Sequence, residues 1–139
     1  MNIATAALVF GVVFVLAGIS GFFAAPPPAN APALTVEHGH GLALGIFPIN
    51  TLHNAVHLLF GVLGIAAARG AIMSARAYFQ VVAVSYSLLV VLGLLPATQT
   101  TFGLIPIWGA DVWLHAGLAL VATYFGFLAP VSAPLTRRL

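Results

Sequence analysis

"FPINTLHNAVHLLFG", residues 47–61, places two histidines at the start of an apolar helical segment, in a chain with few other polar side chains. Asn50 precedes the histidines, and leucine, phenylalanine and glycine follow them. His53 and His57 are four residues apart, so they share one face of a helix. The stretch therefore predicts a membrane-spanning helix that begins with a pair of imidazoles.

The composition of the whole chain predicts a membrane protein. Of its 139 residues, 62% are hydrophobic and 4% are charged, whereas a soluble domain typically has about 25% charged residues. So few charges cannot cover a globule with a hydrated surface, and we expect the lipid bilayer to surround it. No basic stripe is present to neutralise phosphates, which argues against nucleic-acid binding. The absence of cysteine excludes disulfides, iron–sulfur clusters and thiolate ligands.

Four segments are apolar and close to the roughly 20 residues that a helix needs to cross a bilayer. They are residues 3–24, 50–68, 78–95 and 110–129. The first is long for a signal peptide and has no lysine or arginine before it, so we interpret it as a true span. The fold prediction is an all-α, four-helix antiparallel membrane bundle. Residues 1–139 form a single membrane domain in this prediction, with a proline-rich outer loop at residues 25–49.

Four arginines predict the orientation of the bundle. Arg69 and Arg76 lie between spans two and three, and Arg137 and Arg138 lie in the C-terminal tail. Four spans put these two regions on the same side of the membrane. The positive-inside rule makes that side cytoplasmic, so both termini are expected in the cytoplasm.

An internal repeat is predicted from two similar stretches at an offset of 58 residues. "GIFPINTLHNAVHL", residues 45–58, and "GLIPIWGADVWLHA", residues 103–116, share a glycine, a proline, an isoleucine and a histidine. Similarity at a fixed offset is typical of repeated structural units. We expect spans one and two to be a parallel copy of spans three and four. The alternative is convergence on the same turn residues before a helix.

The repeat predicts a polar cluster in the outer half of the membrane. It aligns His57 with His115 and His53 with Asp111, and each helix carries its pair at a four-residue spacing. We therefore expect His57 and His115 to approach each other across the bundle axis, with His53 and Asp111 one turn further out.

Four interpretations of this cluster stay open at the level of sequence. His57 and His115 suit the axial positions of a haem b or a chlorin. All four residues together suit a zinc, copper or iron ion. The cluster also fits a proton or quinone site. The simplest interpretation is a polar clasp, in which hydrogen bonds hold the helices together.

A secondary candidate lies in the outer loop, where Glu37, His38 and His40 form the run "EHGH". The glycine would let both histidines turn toward one ion, although a flexible loop is the favoured interpretation. No catalytic residue is predicted, because neither Ser85 nor Ser87 has an evident base or oxyanion donor.

Three runs resemble a family of small bacterial four-span integral membrane proteins of unknown function. They are "FPINTLHNAVHLLFGVLGIAAARG", "ARAYFQVVAVSYSLLVVLGLLP" and "GADVWLHAGLALVATYFGF". The matching motifs are Asn50 with His53 and His57 in span two, and Trp-Leu-His ending at His115 in span four. The resemblance implies a bacterial inner-membrane protein but no activity, and the proline-rich outer loop departs from its pattern.

The functional expectation is a non-enzymatic protein: an accessory or structural subunit, or a binding module, of a larger membrane complex. Its expected partners are the bilayer and other membrane subunits or further copies of itself. One alternative is an electron-transfer or pigment protein that binds haem b or chlorin. The others are a metal-binding membrane protein and an oligomeric transporter.

Overall fold

The computed structural model of the protein describes residues 1–130, and it contains four long helices. The helices are α1 (Ile3–Ser20), α2 (Thr51–Ala68), α3 (Ala75–Leu94) and α4 (Ala110–Thr123). A 3-10 turn, Gly21–Phe23, extends α1, and a π-helical turn, Tyr124–Leu128, extends α4. With these extensions, all four are long and apolar enough to cross a membrane. The predicted four-helix fold is confirmed; Arg137 and Arg138 lie outside the described residues.

The outward-facing surface of the bundle is apolar. Only 28–39% of the residues in the four spans are buried inside the protein. Large side chains such as Leu16, Val84 and Leu120 are 60%, 65% and 74% exposed. In water such a surface would cause aggregation, whereas in a bilayer it faces lipid tails. The chain is therefore an integral membrane protein whose helices contact lipid.

The helices pair as two hairpins. α1 packs mainly on α2, and α3 packs mainly on α4, while α2 and α3 share a smaller contact. The core between the hairpins contains aromatic side chains, among them Phe14, Tyr78, Phe79 and Tyr86. This pairing is the one that the offset of 58 residues predicts, and the repeat itself stays a prediction.

Glycines allow α1 and α2 to approach closely. A Cβ atom on Gly61 would lie 2.8 Å from the amide nitrogen of Val15, and one on Gly11 would lie 2.8 Å from the carbonyl oxygen of Gly61. Backbone therefore meets backbone at this crossing, as small residues permit in membrane helices. The face of α1 that carries Gly11 thus packs against α2 within the chain.

A short β-hairpin covers the end of the bundle at which α1 ends and α2 and α4 begin. Strands β1 (Gly41–Ala43) and β2 (Phe47–Ile49) pair antiparallel, with Gly41 opposite Ile49. Ala25, just beyond α1, exchanges two backbone hydrogen bonds with Leu42 at 3.0 and 2.7 Å. These two bonds join the start of the proline-rich loop to its β-hairpin, so residues 25–49 contain regular structure that the sequence did not predict.

Arg76 connects the start of α3 to the end of α4. Its guanidinium donates to the carbonyl oxygens of Gly126 at 3.2 Å and Ala129 at 2.6 Å, and Gln80 donates to Gly126 at 3.1 Å. The carbonyls at a helix C-terminus lack intrahelical partners, and they favour a nearby cation. Arg76 therefore stabilises the end of α4.

We expect Gly61→Ala to destabilise the protein by roughly 1–3 kcal/mol, because the new methyl group would overlap the α1 backbone. Gly117→Ala in α4 is the matched control, since a Cβ there meets nothing within 4 Å and alanine favours a helix by up to about 1 kcal/mol. The free energy of unfolding in detergent micelles measures both. Equal stability of the two variants would contradict the close α1–α2 crossing.

Candidate functional site

The side chain of Asn50 sets the position at which α2 begins. It is the N-cap residue of α2 and is fully buried. Its Oδ1 accepts a hydrogen bond from the backbone N–H of His53 at 2.8 Å. Its Nδ2 donates to the carbonyl oxygens of Val36 at 2.8 Å and Leu104 at 2.7 Å. One amide thus caps α2, joins the two outer loops and places His53 in the first helical turn.

The start of α4 presents a second pair of polar groups beside α2. Gly109 precedes the helix with a φ of +64°, a conformation that favours glycine. Asp111 follows in the first turn, and His115 lies one turn later on the same face. Both side chains are almost completely buried, at 2% and 1% exposure. Ionisable groups buried so completely are uncommon in membrane helices and typically functional.

His53, Asp111 and His115 come together in space. One ligand atom from each lies within 4.8 Å of the ligand atoms of the other two, and all three residues are buried. Within residues 1–130 this is the one such group of three or more histidine, aspartate or glutamate residues. We refer to these three residues as the polar cluster.

Two atoms of the polar cluster have no hydrogen-bond partner. His115 Nδ1 lies 2.8 Å from the backbone carbonyl oxygen of Asp111, so this nitrogen carries a proton and donates it. Asp111 Oδ2 lies 3.3 Å from the same nitrogen but makes no hydrogen bond. His53 Nδ1 is also buried and without a partner. Since buried polar atoms are nearly always paired, such gaps often mark a bound ion or water.

His57 lies next to the polar cluster rather than within it. Its ring stacks on His53, with centroids 4.5 Å apart, and on Phe14 at 5.9 Å. The ring contact across to α4 is made by His53, whose centroid is 6.0 Å from that of His115. From the sequence, we expect His57 to belong with His53, Asp111 and His115 and its ring to face that of His115.

The relative register of the two helices explains this difference. His53 is the third residue of α2, and His115 is the sixth residue of α4. His115 is thus three residues further from the start of its helix than His53, about 4.5 Å along the axis at 1.5 Å per residue, and the two rings still contact each other. The spacing of residues within each helix does not predict which positions of two helices meet.

Tyr86 is a neighbour of the polar cluster that the sequence analysis missed. Its ring stacks on His115 with centroids 4.6 Å apart and an interplanar angle of 20°. Tyr86 lies in the middle of α3 and is 2% exposed. Tyrosines in membrane proteins prefer the interfacial belts. The position of Tyr86 in the centre of an apolar span could therefore have marked it as a candidate site residue.

The run "EHGH" holds the outer loop against α2. His38 Nδ1 and the Thr51 hydroxyl lie 2.8 Å apart, and the His38 carbonyl accepts from the Thr51 amide at 3.0 Å. Burial lowers the pKa of His40, and the nearby Glu37 opposes that effect. Glu37, His38 and His40 do not form a ligand group of the kind that the polar cluster forms.

The fold and the polar cluster define a class: a four-helix integral membrane protein with a buried group of two imidazoles and one carboxylate. The chain matches the family described as Domain of unknown function (DUF4383) over residues 4–128. Because this match covers most of its length, the chain belongs to that family. Comparisons with curated proteins and with solved structures gave no match. The predicted resemblance thus agrees at the level of a small membrane protein of unknown function, while its motifs and bacterial source stay predictions.

We expect Asn50→Ala to destabilise the protein by roughly 2–4 kcal/mol, since it removes a helix cap and leaves two carbonyls unpaired. Asn2→Ala is the matched control, because Asn2 only caps α1, through the Thr5 amide at 2.8 Å, and should cost about 1 kcal/mol. Asn50→Asp keeps the cap but loses both donors. Unfolding in detergent micelles measures all three variants, and an Asn50→Asp protein as stable as the wild type would refute the role of Nδ2.

Proposed function

We propose that this protein is a membrane binding module that holds a divalent transition-metal ion, with zinc as the first candidate, at His53, Asp111 and His115. The observation that carries the proposal is the convergence of three buried ligand atoms within 4.8 Å. The unpaired Oδ2 of Asp111 and Nδ1 of His53 strengthen it. A cation would give both atoms the partner that they lack.

The chemistry of the three residues suits such an ion. Two imidazoles and a carboxylate are common zinc ligands, and three protein ligands leave a fourth position open for water or another molecule. Ligands about 2.1 Å from an ion lie about 3–4 Å from one another. A closure of about 1 Å from the observed separations would therefore complete the coordination.

The hydrogen bond of His115 also supports ion binding. Because its Nδ1 donates to the Asp111 carbonyl, a neutral ring has its lone pair on Nε2. Histidines that bind metals commonly donate their other N–H to a backbone carbonyl or a carboxylate, which fixes the tautomer and the ring orientation. Stacking on Tyr86 further restrains this ring.

The polar-clasp interpretation is less well supported by the contacts. A clasp needs hydrogen bonds between helices. The bond that His115 makes to Asp111 lies within α4. Within the described residues, no hydrogen bond joins the His53 side chain to Asp111 or His115. The cluster thus brings polar groups together without pairing them across the interface.

Two observations favour a small ion over haem b or a chlorin. A macrocycle would need free space between its axial ligands His57 and His115, yet the His53 ring stacks on His57 and lies 6.0 Å from the His115 ring. The space beside Gly61, which could have accommodated a macrocycle, is filled by Val15 of α1. A haem between His57 and His115 would require these helices to move apart.

We further propose the orientation that Arg69 and Arg76 imply, which puts the polar cluster near the extracytoplasmic face. Membership of a larger complex, self-association, transport and a bacterial inner-membrane location stay predictions. The apolar surface of the helices suits lipid and neighbouring membrane helices alike.

The orientation can be tested because the chain has no cysteine. We expect a single cysteine introduced by His38→Cys to react with a membrane-impermeant maleimide in intact cells. Ala71→Cys, in the loop after α2, is the control and should react only after permeabilisation. The reverse labelling pattern would overturn the orientation.

We expect the purified protein to bind one zinc ion per chain in equilibrium dialysis with metal analysis. His53→Gln, Asp111→Asn and His115→Gln should each weaken binding on the order of 100-fold or more, because each removes a direct ligand, and even changes to the residues that orient ligands cost 10–100-fold. His57→Gln is the matched control and should bind zinc like the wild type. Circular dichroism confirms that each variant folds.

Three results would contradict the proposal. Asp111→Asn with unchanged affinity would favour a neutral hydrogen-bond network. An equal loss in His57→Gln would place that residue among the ligands. A Soret band in the purified protein that disappears in His57→Ala and in His115→Ala would establish the haem alternative.

A further inference from the structure

A cavity of about 340 Å³ lies beside the polar cluster, in the outer half of the bundle. α1, α4 and the β1–β2 hairpin supply most of its walls, and nearly all of the lining is apolar. Its volume is within the range of about 300–1,000 Å³ that is usual for small-molecule sites. His57 and Asp111 are the titratable residues in its wall.

The position of the cavity indicates that its ligand comes from the membrane. α1 packs on α2 and α4 packs on α3, so the seam between α1 and α4 is the less tightly packed side of the bundle. Leu16 and Ala17 line the cavity from α1, and Leu114 and Leu118 line it from α4. These residues belong to membrane-spanning helices. A molecule dissolved in the bilayer can therefore enter along this seam.

The polar atoms in the wall specify the head group of that ligand. Asp111 is 2% exposed, and its Oδ2 has no hydrogen-bond partner. An ionised carboxylate can only accept, so a fitting head group must donate a hydrogen bond. His57 Nδ1 is also buried without a partner, and imidazole can donate or accept at this atom according to its tautomer.

Aromatic rings favour a flat head group. The His57 ring stacks on Phe14 with an interplanar angle of 29°. Phe14 lines the cavity from α1, and Phe47 lines it from β2. Such side chains contact planar rings by offset stacking or by edge-to-face packing. A ring that carries hydroxyl groups would satisfy both the aromatic wall and the carboxylate.

The tip of the β-hairpin adds an apolar roof. Leu44 and Gly45 occupy the turn with φ of +54° and +71°. A turn of this kind normally takes Asn, Asp or Gly at both positions. Leucine is unusual there, and its side chain lies in the cavity wall. The hairpin thus closes the outer end and leaves the membrane side as the route of access.

We propose that this cavity binds a lipid-soluble quinol. The hydroxylated ring lies against Asp111 and His57, and the apolar tail follows the α1–α4 seam into the bilayer. The proposal does not depend on the metal ion. Without an ion, Asp111 Oδ2 accepts the hydroxyl hydrogen bond. An ion bound at Oδ2 leaves Oδ1 of the same carboxylate to accept it, so the two sites are compatible.

Titration of the protein in phosphatidylcholine nanodiscs with decylubiquinol tests the proposal. We expect saturable binding of one molecule per chain. Decylubiquinone, which lacks the hydroxyl donors, should bind at least about tenfold more weakly, because it leaves the buried carboxylate unpaired. Dodecanol, which has a tail but no ring, should not displace the quinol.

Ala17→Phe should weaken quinol binding at least about tenfold, since the new ring occupies the cavity. Ala55→Phe is the matched control, because Ala55 is exposed on α2 and should have no effect. Leu114→Trp is a second filling variant, at a side chain that is 44% exposed, so it tests the site even if Ala17→Phe does not fold.

Each result bears on one of the two proposals. Non-saturable binding, equal binding of quinol and quinone, displacement by dodecanol, or unchanged affinity in a folded filling variant would overturn the quinol site. Zinc affinity measured on Ala17→Phe should equal that of the wild type. In the wild-type protein, absence of saturable quinol binding with intact zinc binding would refute only the cavity ligand, whereas quinol binding without zinc binding would refute only the metal centre.

Discussion

The hydrogen bonds of one buried amide hold together the end of the bundle at which α2 and α4 begin. Asn50 uses both of its donors and one acceptor on backbone groups from three segments: α2, the proline-rich loop and the loop before α4. At this end of the bundle the chain must leave its helices, and each loop exposes backbone groups that lipid cannot satisfy. Asn50, the N-cap residue of α2, donates hydrogen bonds to two of these loop carbonyls. The same bonds hold the start of α2 close to the loop that leads into α4.

The polar cluster follows from that arrangement. First-turn side chains of two helices that begin near each other meet beneath the covering hairpin, where His53 and Asp111 are almost entirely removed from solvent. The unpaired atoms of His53 and Asp111 cost free energy in such surroundings, and nothing in the packing requires them, since apolar residues would fill the same volume. In the proposed metal site, a bound cation would turn this cost into a stabilising interaction, and the proposed ligand of the neighbouring cavity would reach the same region from the membrane.

Much of this architecture could be predicted from local sequence. Hydropathy located the four helices. When the 3-10 and π-helical extensions are counted, the largest error is at the start of α3, which begins at Ala75 rather than at residue 78. The i,i+4 spacing placed Asp111 and His115 on one face, and the comparison at an offset of 58 pointed to the correct pair of helices. The contact of His53 with His115 and the stacking of Tyr86 on His115 depend on packing between distant segments, which local sequence does not specify. The β-hairpin was missed because a three-residue strand with a proline has little sequence signature.

X-ray absorption spectroscopy of the zinc-loaded protein in detergent is the most direct test of the central claim. The account predicts a first coordination shell of nitrogen and oxygen at about 2.0–2.2 Å, with the multiple-scattering signal of two imidazoles and one carboxylate. In Asp111→Asn, measured at a zinc concentration high enough to load the weakened site, this shell should lose its carboxylate contribution. A spectrum with oxygen ligands alone, with one imidazole, or with three imidazoles would contradict the assignment of His53, Asp111 and His115 as the metal ligands.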